Sequence, residues 1–450
     1  MAKKRASASP WHTNRQQAMD TMFSEMSSAG SERLGCSVSV GDESLRDVVG
    51  LPLPALCLRY LYQSTVMPLS RITQIAGTEG CCKTSFLFEM MRWHIMYGGG
   101  AVFAENEGKD SADLRHAVYQ WDRAYVNRTL VVPTSCVNEW QSVWTYYIGE
   151  IKKQQTAEGG PGRTYPMLVA VDAITSTATR EEIEDIEKNG YAQRGYPLMA
   201  QSISRYMRTM PRQIQGFPIS VAGTNHLKPS TDARGLPTHT IPGGMSVKFM
   251  ETNEIIMKRA AVGADIDKAD CSGLRLVLKM NKNSAGPSRK QITAEFLWWS
   301  AEDPNTGDWR QYAAWDWDTA TIDMLLSFEN ANGKKTLYKN LCEVTGLRVV
   351  SKSTKMAYSD VLGIPKDDPQ HFRIVAAALE RRPDVLDKVY RLLGILRKNE
   401  FVHGVDYLQA QLSAAAEIEE SAVNRSREQA SVLLDTGDGD DAADTDEGEQ

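Results

Sequence analysis

Residues 71–95, RITQIAGTEGCCKTSFLFEMMRWHI, decide the fold. A short β-like run, Ile72 to Ala76, enters the glycine-containing turn GTEGCCKT, and a helical pattern leaves it at once. A phosphate-binding loop demands that order. Backbone N–H groups of the turn and of the helix N-terminus surround the phosphates, a lysine reaches the β- and γ-phosphates, and a hydroxyl ligates Mg2+. Gly77, Lys83 and Thr84 stand in register with GxxxxGK[ST]; Thr78, Glu79, Gly80, Cys81 and Ser85 complete the cradle. Cys82 occupies the place of the second glycine. If that position requires a positive φ, a side chain there costs about 1–2 kcal/mol. The loop then either tolerates the strain or binds more weakly, and an incidental glycine-rich turn is the plain alternative.

Three later runs raise the weight of the first. GGGAVFAENEGKD (98–110) is a glycine-bounded β-run that delivers Glu105 and Glu107 at its C-terminal end, where α/β sheets place ligand groups. A carboxylate there orients the water that attacks a γ-phosphate. YPMLVAVDAITS (165–176) is an apolar run ending in Asp172, the pattern of a Walker-B strand whose carboxylate holds Mg2+ through water. FPISVAGTNH (217–226) brings Asn225 and His226 to the same edge. Taken singly, each is an ordinary strand-end polar residue; in this order they predict one nucleotide site at the C-terminal edge of a mainly parallel sheet.

Composition narrows the rest. The chain has 450 residues, 42% of them hydrophobic and 24% charged, so collagen-like, disulfide-scaffold and wholly disordered chains are excluded. No run approaches the roughly 20 apolar residues of a spanning helix, and the basic start MAKKRASASPWHTNRQ has no apolar segment behind it, so no membrane association and a cytoplasmic setting are expected. Seven cysteines, an odd number without CxxC or Cys/His metal spacing, agree with a reducing compartment and give no zinc site. Cys81 and Cys82 sit beside Lys83 and a helix N-terminus, both of which lower a thiol's pKa, so a redox-sensitive loop is one open reading.

The net charge of −6 is uneven: Asp435 to Gln450 (DTGDGDDAADTDEGEQ) holds eight acids and no base, which leaves the remaining chain at +2. Such a tail is expected to be disordered, serving either solubility or competition with nucleic acid for a basic site. Residues 14–28 place Met19, Met22, Phe23 and Met26 on one helical stripe, which packs on its own domain or on a neighbouring protomer. The expected organisation is therefore an N-terminal helix and linker (1–49), an α/β core (50–304), a mainly helical region (305–434, with LDKVYRLLGILRKN its clearest amphipathic run) and the acidic tail (435–450).

From about residue 12 to 300 the chain resembles the RecA-type strand-exchange recombinases, and among them the phage UvsX-like branch. GTEGCCKTS is similar to the family's GPESSGKTT, and ENEG to its D-x-E motif, with Glu107 at the catalytic glutamate's distance from the lysine. LVAVD is similar to its Walker-B strand. GTNHLK resembles the motif whose polar residue senses the γ-phosphate, glutamine in bacterial members and histidine in the UvsX-like ones, here His226. PGGMSVKF resembles the glycine pair closing the second DNA-binding loop and the Lys-Phe packed between protomers, here Gly243, Gly244, Lys248 and Phe249. LVLKMNKNSAGP resembles the strand whose lysines reach the neighbour's ATP site, which implies Lys279 and Lys282. Cys82, Glu105 in place of the common aspartate, an insertion near QQTAEGGPGRTY and the lysine spacing depart from the family pattern.

Two long connections leave the nucleotide edge, about 173–197 and 226–248, where a compact domain ordinarily uses 2–6 residues. Arg180, Arg194, Lys228, Arg234 and Lys248 are expected to supply counter-charge for a sequence-independent grip on a DNA backbone, and the resemblance implies that Gly243 and Gly244 close the second loop. The acidic EEIEDIE run makes the second loop the stronger DNA candidate, and a lid over a small substrate is the alternative. The resemblance implies an ATP- and Mg2+-using ATPase that polymerises on single-stranded DNA and pairs it with double-stranded DNA, with a single-strand-binding protein or loader as further partner. A hexameric helicase or motor on the same fold stays open, as does a DNA-binding protein with a crippled ATPase site.

Overall fold

The computed structural model describes residues 49–400 apart from 109–111, 157–164, 190–197, 216, 232–233, 236, 244, 262, 268–270, 304–305 and 399. The expected N-terminal helix, the chain beyond 400 with its acidic tail, Arg194 and Gly244 lie outside the described residues.

Ten strands build the central sheet: β1 (Ile72–Gly77), β2 (Gly100–Glu105), β3 (Thr129–Pro133), β4 (Met167–Asp172), β5 (Ile219–His226), β6 (Asn253–Arg259), β7 (Asp265–Asp267), β8 (Ser272–Lys282), β9 (Gln291–Glu302) and β10 (Trp309–Asp316). Their order is β10-β9-β8-β6-β1-β5-β4-β2-β3, with β7 pairing β8. The six strands from β6 to β3 run parallel; β8, β9 and β10 extend the sheet antiparallel. The fold is thus α/β with a large, mostly parallel sheet, as the strand and helix runs predict.

Period-2 alternation sends side chains to two separate helical layers. In β2, Ala101 and Phe103 join the core beneath helix α1 (Lys83–Met96), while Val102 and Ala104 join the core beneath α2 (Val137–Thr156) and α4 (Leu198–Ile214). Trp140 and Trp144 of α2 and Met207 and Met210 of α4 fill the second layer. Helix α1 is apolar nearly all round because it is covered on both sides: Phe86, Phe88, Met91 and Trp93 are all buried, and Trp315 and Trp317 stack edge-on against Phe86.

The stretch after 305 holds strands the sequence did not announce, one of them in the central sheet. Trp309–Asp316 is the outermost strand of the central sheet, paired with β9 from Glu295↔Asp316 to Glu302↔Trp309. Helices then predominate: Trp317–Ser327, Lys335–Thr345, Phe372–Glu380 and Pro383–Leu393, around a small sheet of Arg348–Ser351, Met356–Tyr358 and Gln370–His371. The amphipathic run continues to Asn399, but its helix stops at Leu393 because Gly394 takes the left-handed conformation (φ 68°) that ends helices. Two buried charges bolt this region to the sheet: Asp316 accepts from Arg373, and Glu295 from Lys355 and Arg275. No helix among the described residues is long and apolar enough to cross a membrane.

Both long connections carry regular structure. Within the first, α3 (Arg180–Asn189) starts at a reciprocal cap, Thr179 N–H donating to Glu182 Oε2 at 2.8 Å and Glu182 N–H to Thr179 Oγ1 at 3.2 Å. The second is a hairpin of Lys228–Thr231 with Pro237–Thr240, followed by α5 (Met245–Met250).

Candidate nucleotide site and the loops rooted in it

The expected loop forms between β1 and α1. Cys82 is the residue that caps α1, in the left-handed conformation at φ 56°, ψ 33°. The missing second glycine therefore stands where its absence is felt. Gly77 is needed for space: a Cβ there would lie 2.4 Å from Cys81 Sγ and 2.6 Å from the Met257 carbonyl oxygen of the neighbouring strand. Lys83, 8% exposed, folds back on the loop and donates to the Thr78 carbonyl at 2.8 Å. Cys81 Sγ shares that acceptor at 2.9 Å.

Burial overrides the cationic surroundings of the paired thiols. It pushes the Cys82 thiol up to about 12, helped by Cys81 and opposed by Arg259 and Lys83, and it also raises Cys81. Both stay protonated near neutral pH, against the expectation of lowered values.

Asp172 ends β4 between the loop and β5, 6% exposed. Thr84 Oγ1 donates to its Oδ2 at 2.5 Å, and Thr224 Oγ1 donates to its Oδ1. Its carboxyl is raised above the ordinary value chiefly by burial; the two hydroxyls and Lys83 counteract, and Glu107 adds repulsion. Thr84 and Asp172 form a set of hard oxygen donors that fits a partly hydrated Mg2+ beside the phosphates. Thr224 was not singled out from sequence. Its signal was the alternation along β5, which puts Thr224 and His226 on one face.

Glu107 lies two residues past the end of β2, and its Oε1 is 2.8 Å from Nε2 of His226 at the end of β5. Glu105, half-buried, ends β2 in register with Asp172. Lys83, Thr84, Asp172, Glu107 and His226 thus gather at one edge of the sheet. Thr78, Glu79, Gly80, Cys81 and Ser85 lie in the turn and first helical residues beside them.

The other expected residues are distributed around this edge. Lys228 opens the hairpin two residues after His226, and it and Arg234 are exposed. Gly243 has φ 107°, a conformation only glycine adopts readily. Arg180 lies at the start of α3, 3.6 Å from Glu139 and on the exposed side. Lys248 and Phe249 lie on α5, and the Phe249 ring is 65% exposed. Lys279 is half-buried in β8, while Lys282 donates to the carbonyls of Lys248 (2.9 Å) and Phe249 (3.3 Å), capping α5 within its own chain.

Sequence reading also passed over Asn106, which is 3% exposed and lies between the two glutamates. Its amide donates to the Ala173 carbonyl at 2.8 Å and accepts from Ser176 Oγ at 2.7 Å.

No family model matches the chain. It is similar to Protein RecA of Fusobacterium nucleatum, 21% identical over 264 residues, which cover 59% of this chain and 64% of that protein. It is likewise similar to Protein RecA of Nautilia profundicola, 22% identical over 276 residues, 61% of this chain and 71% of that protein. The chain thus matches somewhat under two thirds of the first relative's length and somewhat more of the second's. Both matches support distant kinship with RecA proteins and agree with the α/β architecture.

Proposed function

We propose that the chain is an ATP- and single-stranded-DNA-dependent recombinase that forms a nucleoprotein filament and carries out homologous pairing and strand exchange. The observation that carries this reading is the convergence of Lys83, Thr84, Asp172, Glu107 and His226 at the edge from which the hairpin Lys228–Thr240 departs. Histidine at 226 favours the UvsX-like branch, and with it a phage protein acting in a bacterial cytoplasm.

In this mechanism Lys83 leaves the Thr78 carbonyl for the β- and γ-phosphates, while the α1 N-terminus and the turn amides hold the phosphate oxygens. Thr84 and Asp172 would hold Mg2+, which when bound would neutralise charge at the phosphates. Glu107 is the base that orients water, but in the present arrangement its carboxylate is taken by His226. A γ-phosphate that accepts a hydrogen bond from His226 competes for that partner and releases Glu107. The same displacement is felt at the root of the hairpin, two residues on, which couples nucleotide state to DNA grip by Lys228, Arg234 and the Gly243–Gly244 closure. Arg180 and Arg194 add counter-charge from the first loop.

Self-association has two surfaces to use. The edge strand β3 exposes Leu130 (51%) and Val131 (41%), and α5 exposes Phe249 (65%). Lys279 and Lys282 act in trans in this reading, which requires Lys282 to release its own α5 carbonyls on assembly. Residues 1–49 dock on the neighbour, 50–304 form the ATPase core, 305–434 an accessory region and 435–450 an acidic regulator. A single-strand-binding protein or loader completes the set of partners.

The deciding experiment is ATP hydrolysis with and without single-stranded DNA, in wild type and in Lys83→Ala. Stimulation by DNA that is lost in the variant supports the reading, and helical filaments in micrographs then separate it from a ring motor. No hydrolysis with normal DNA binding would replace it by a binding role on the same fold.

A further inference from the structure

Glu107 and His226 face each other, and each is preceded in sequence by a buried asparagine whose amide grips the same short turn. Asn106 donates to Ala173 O (2.8 Å), accepts from Ser176 Oγ (2.7 Å), and its N–H reaches Asp172 O at 3.1 Å. Asn225, fully buried, accepts from Thr175 Oγ1 (2.6 Å) and from the N–H of His226 (2.9 Å), and donates to Pro242 O at 3.0 Å. The turn Ala173–Ser176 is therefore held from the β2 side by Asn106 and from the β5 side by Asn225.

The same turn is the root of the first connection and touches the exit of the second. Downstream it passes within three residues to the Thr179–Glu182 cap that starts α3, anchored by the Val137 N–H to Ala178 O bond at 3.0 Å. From the other side the exit of the second connection leans on it: a Cβ on Gly243 would sit 3.2 Å from Thr175 Cγ2. A segment bonded through buried amides cannot shift without moving the amides, because a displaced buried amide loses partners that no water replaces.

We infer that the turn Ala173–Ser176 is a relay that converts engagement of the two connections by DNA into the placement of Glu107, with Asn106 and Ser176 as positioning residues. Neither is among the residues to which the proposed mechanism gives the phosphates or Mg2+. Asn106 fixes the backbone one residue before Glu107, and Ser176 is the exposed end of the clamp. The inference rests on the DNA-dependent ATPase reading above.

Ser176→Ala tests it gently, since it deletes one hydroxyl from an exposed residue and leaves the buried amide of Asn106 bonded to Ala173. The expected result is a drop of about tenfold in DNA-stimulated kcat. DNA-free turnover, KM for ATP and single-strand affinity by fluorescence anisotropy should stay within about twofold of wild type. Ser176→Thr, which keeps the hydroxyl, should restore stimulation. Full stimulation in Ser176→Ala overturns the relay. So does an equal fall of basal and stimulated rates, which marks ordinary structural damage, or a fall in DNA affinity, which makes Ser176 a DNA contact. A wild type that DNA does not stimulate removes the ATPase reading itself and the relay with it, a failure visible before any variant is made.

Discussion

His226 Nε2 stands 2.8 Å from Glu107 Oε1, a contact that bridges the ends of β5 and β2 across the intervening strand β4. Two strands that are not neighbours are thereby joined over Asp172, and the more exposed partner is the histidine, at 34% against 10% for the glutamate. Glu107→Gln keeps the shape and a hydrogen bond to His226 while removing the proton acceptor. Its ATP turnover should fall by about 10²–10⁴-fold, the usual worth of a positioned base. Nucleotide and DNA binding should survive. Single-turnover hydrolysis with parallel binding assays checks this, and turnover at the wild-type rate would take the base role away from Glu107.

Cys82 offers a gain rather than a loss. Its left-handed backbone (φ 56°) disfavours any side chain, and its thiol stays protonated, so the cysteine contributes no charge to the loop. Cys82→Gly should relieve about 1 kcal/mol, partly offset by the freer unfolded chain. The denaturation midpoint should rise slightly and nucleotide should bind at least as tightly. Cys82→Val, β-branched in the same conformation, should be the least stable of the three. A loss of stability in the glycine variant would mean that Cys82 packing outweighs the strain.

Gly77→Ala is expected to fail for a reason of space. The new methyl meets both Cys81 Sγ (2.4 Å) and the backbone oxygen of Met257 (2.6 Å). Trimming the thiol with Cys81→Ala removes only the first obstacle, so the double variant should recover little nucleotide binding. Substantial recovery would show that the strand backbone yields more readily than a packed sheet ordinarily does.

The gathering of strand ends at one sheet edge was legible because apolar runs there stop at a glycine (Gly77), a carboxylate (Glu105, Asp172) or a histidine (His226), and a parallel sheet brings such strand ends together. Lys83, Thr84, Asp172, Glu107 and His226 were all expected at that edge from these runs, and the structure brings them together there. Asn106, Thr224 and Ser176 were not, since an amide or hydroxyl near a strand end has no distinctive spacing and acquires meaning only when a distant turn folds against it. The Thr179-x-x-Glu182 box that starts α3 lies inside what reads as a long loop, and the sequence reading passed over it. Trp309–Asp316 was hidden among helical neighbours because its pairing partner, β9, and not its own pattern, makes it a strand. The cap at Gly394 was visible as a glycine but outvoted by the apolar periodicity that continues past it.

Phe249 and Lys282 test assembly. With a ring 65% exposed on a short helix whose C-terminal carbonyls are capped by Lys282, Phe249 has the makings of an anchor for a neighbouring protomer. Phe249→Ala should raise the protein concentration needed for filaments by about 30-fold or more, as loss of an aromatic anchor worth roughly 2 kcal/mol implies. Light scattering against concentration reads this, and unchanged assembly would move the interface elsewhere.

Glu251 sets a pH dependence that can be worked out in sign. It follows α5, is 1% exposed, and neither carboxylate oxygen has a hydrogen-bond partner among the described residues. Burial pushes its pKa up to about 9 from the ordinary 4.5, with Glu254 adding repulsion and Lys282 and Lys248 opposing. Between those two values the folded chain holds a proton that the unfolded chain has released. Its contribution to stability is therefore complete below the ordinary value and is lost progressively as pH rises toward about 9. The slope from this one group is at most about 1.4 kcal/mol per pH unit. Glu251→Gln keeps the neutral shape at every pH, so its urea midpoint should match wild type in mild acid and exceed it increasingly up to about pH 9, then run parallel. Parallel curves over the whole range would mean that Glu251 is already ionised in the folded chain, with its charge answered by Lys248 and Lys282.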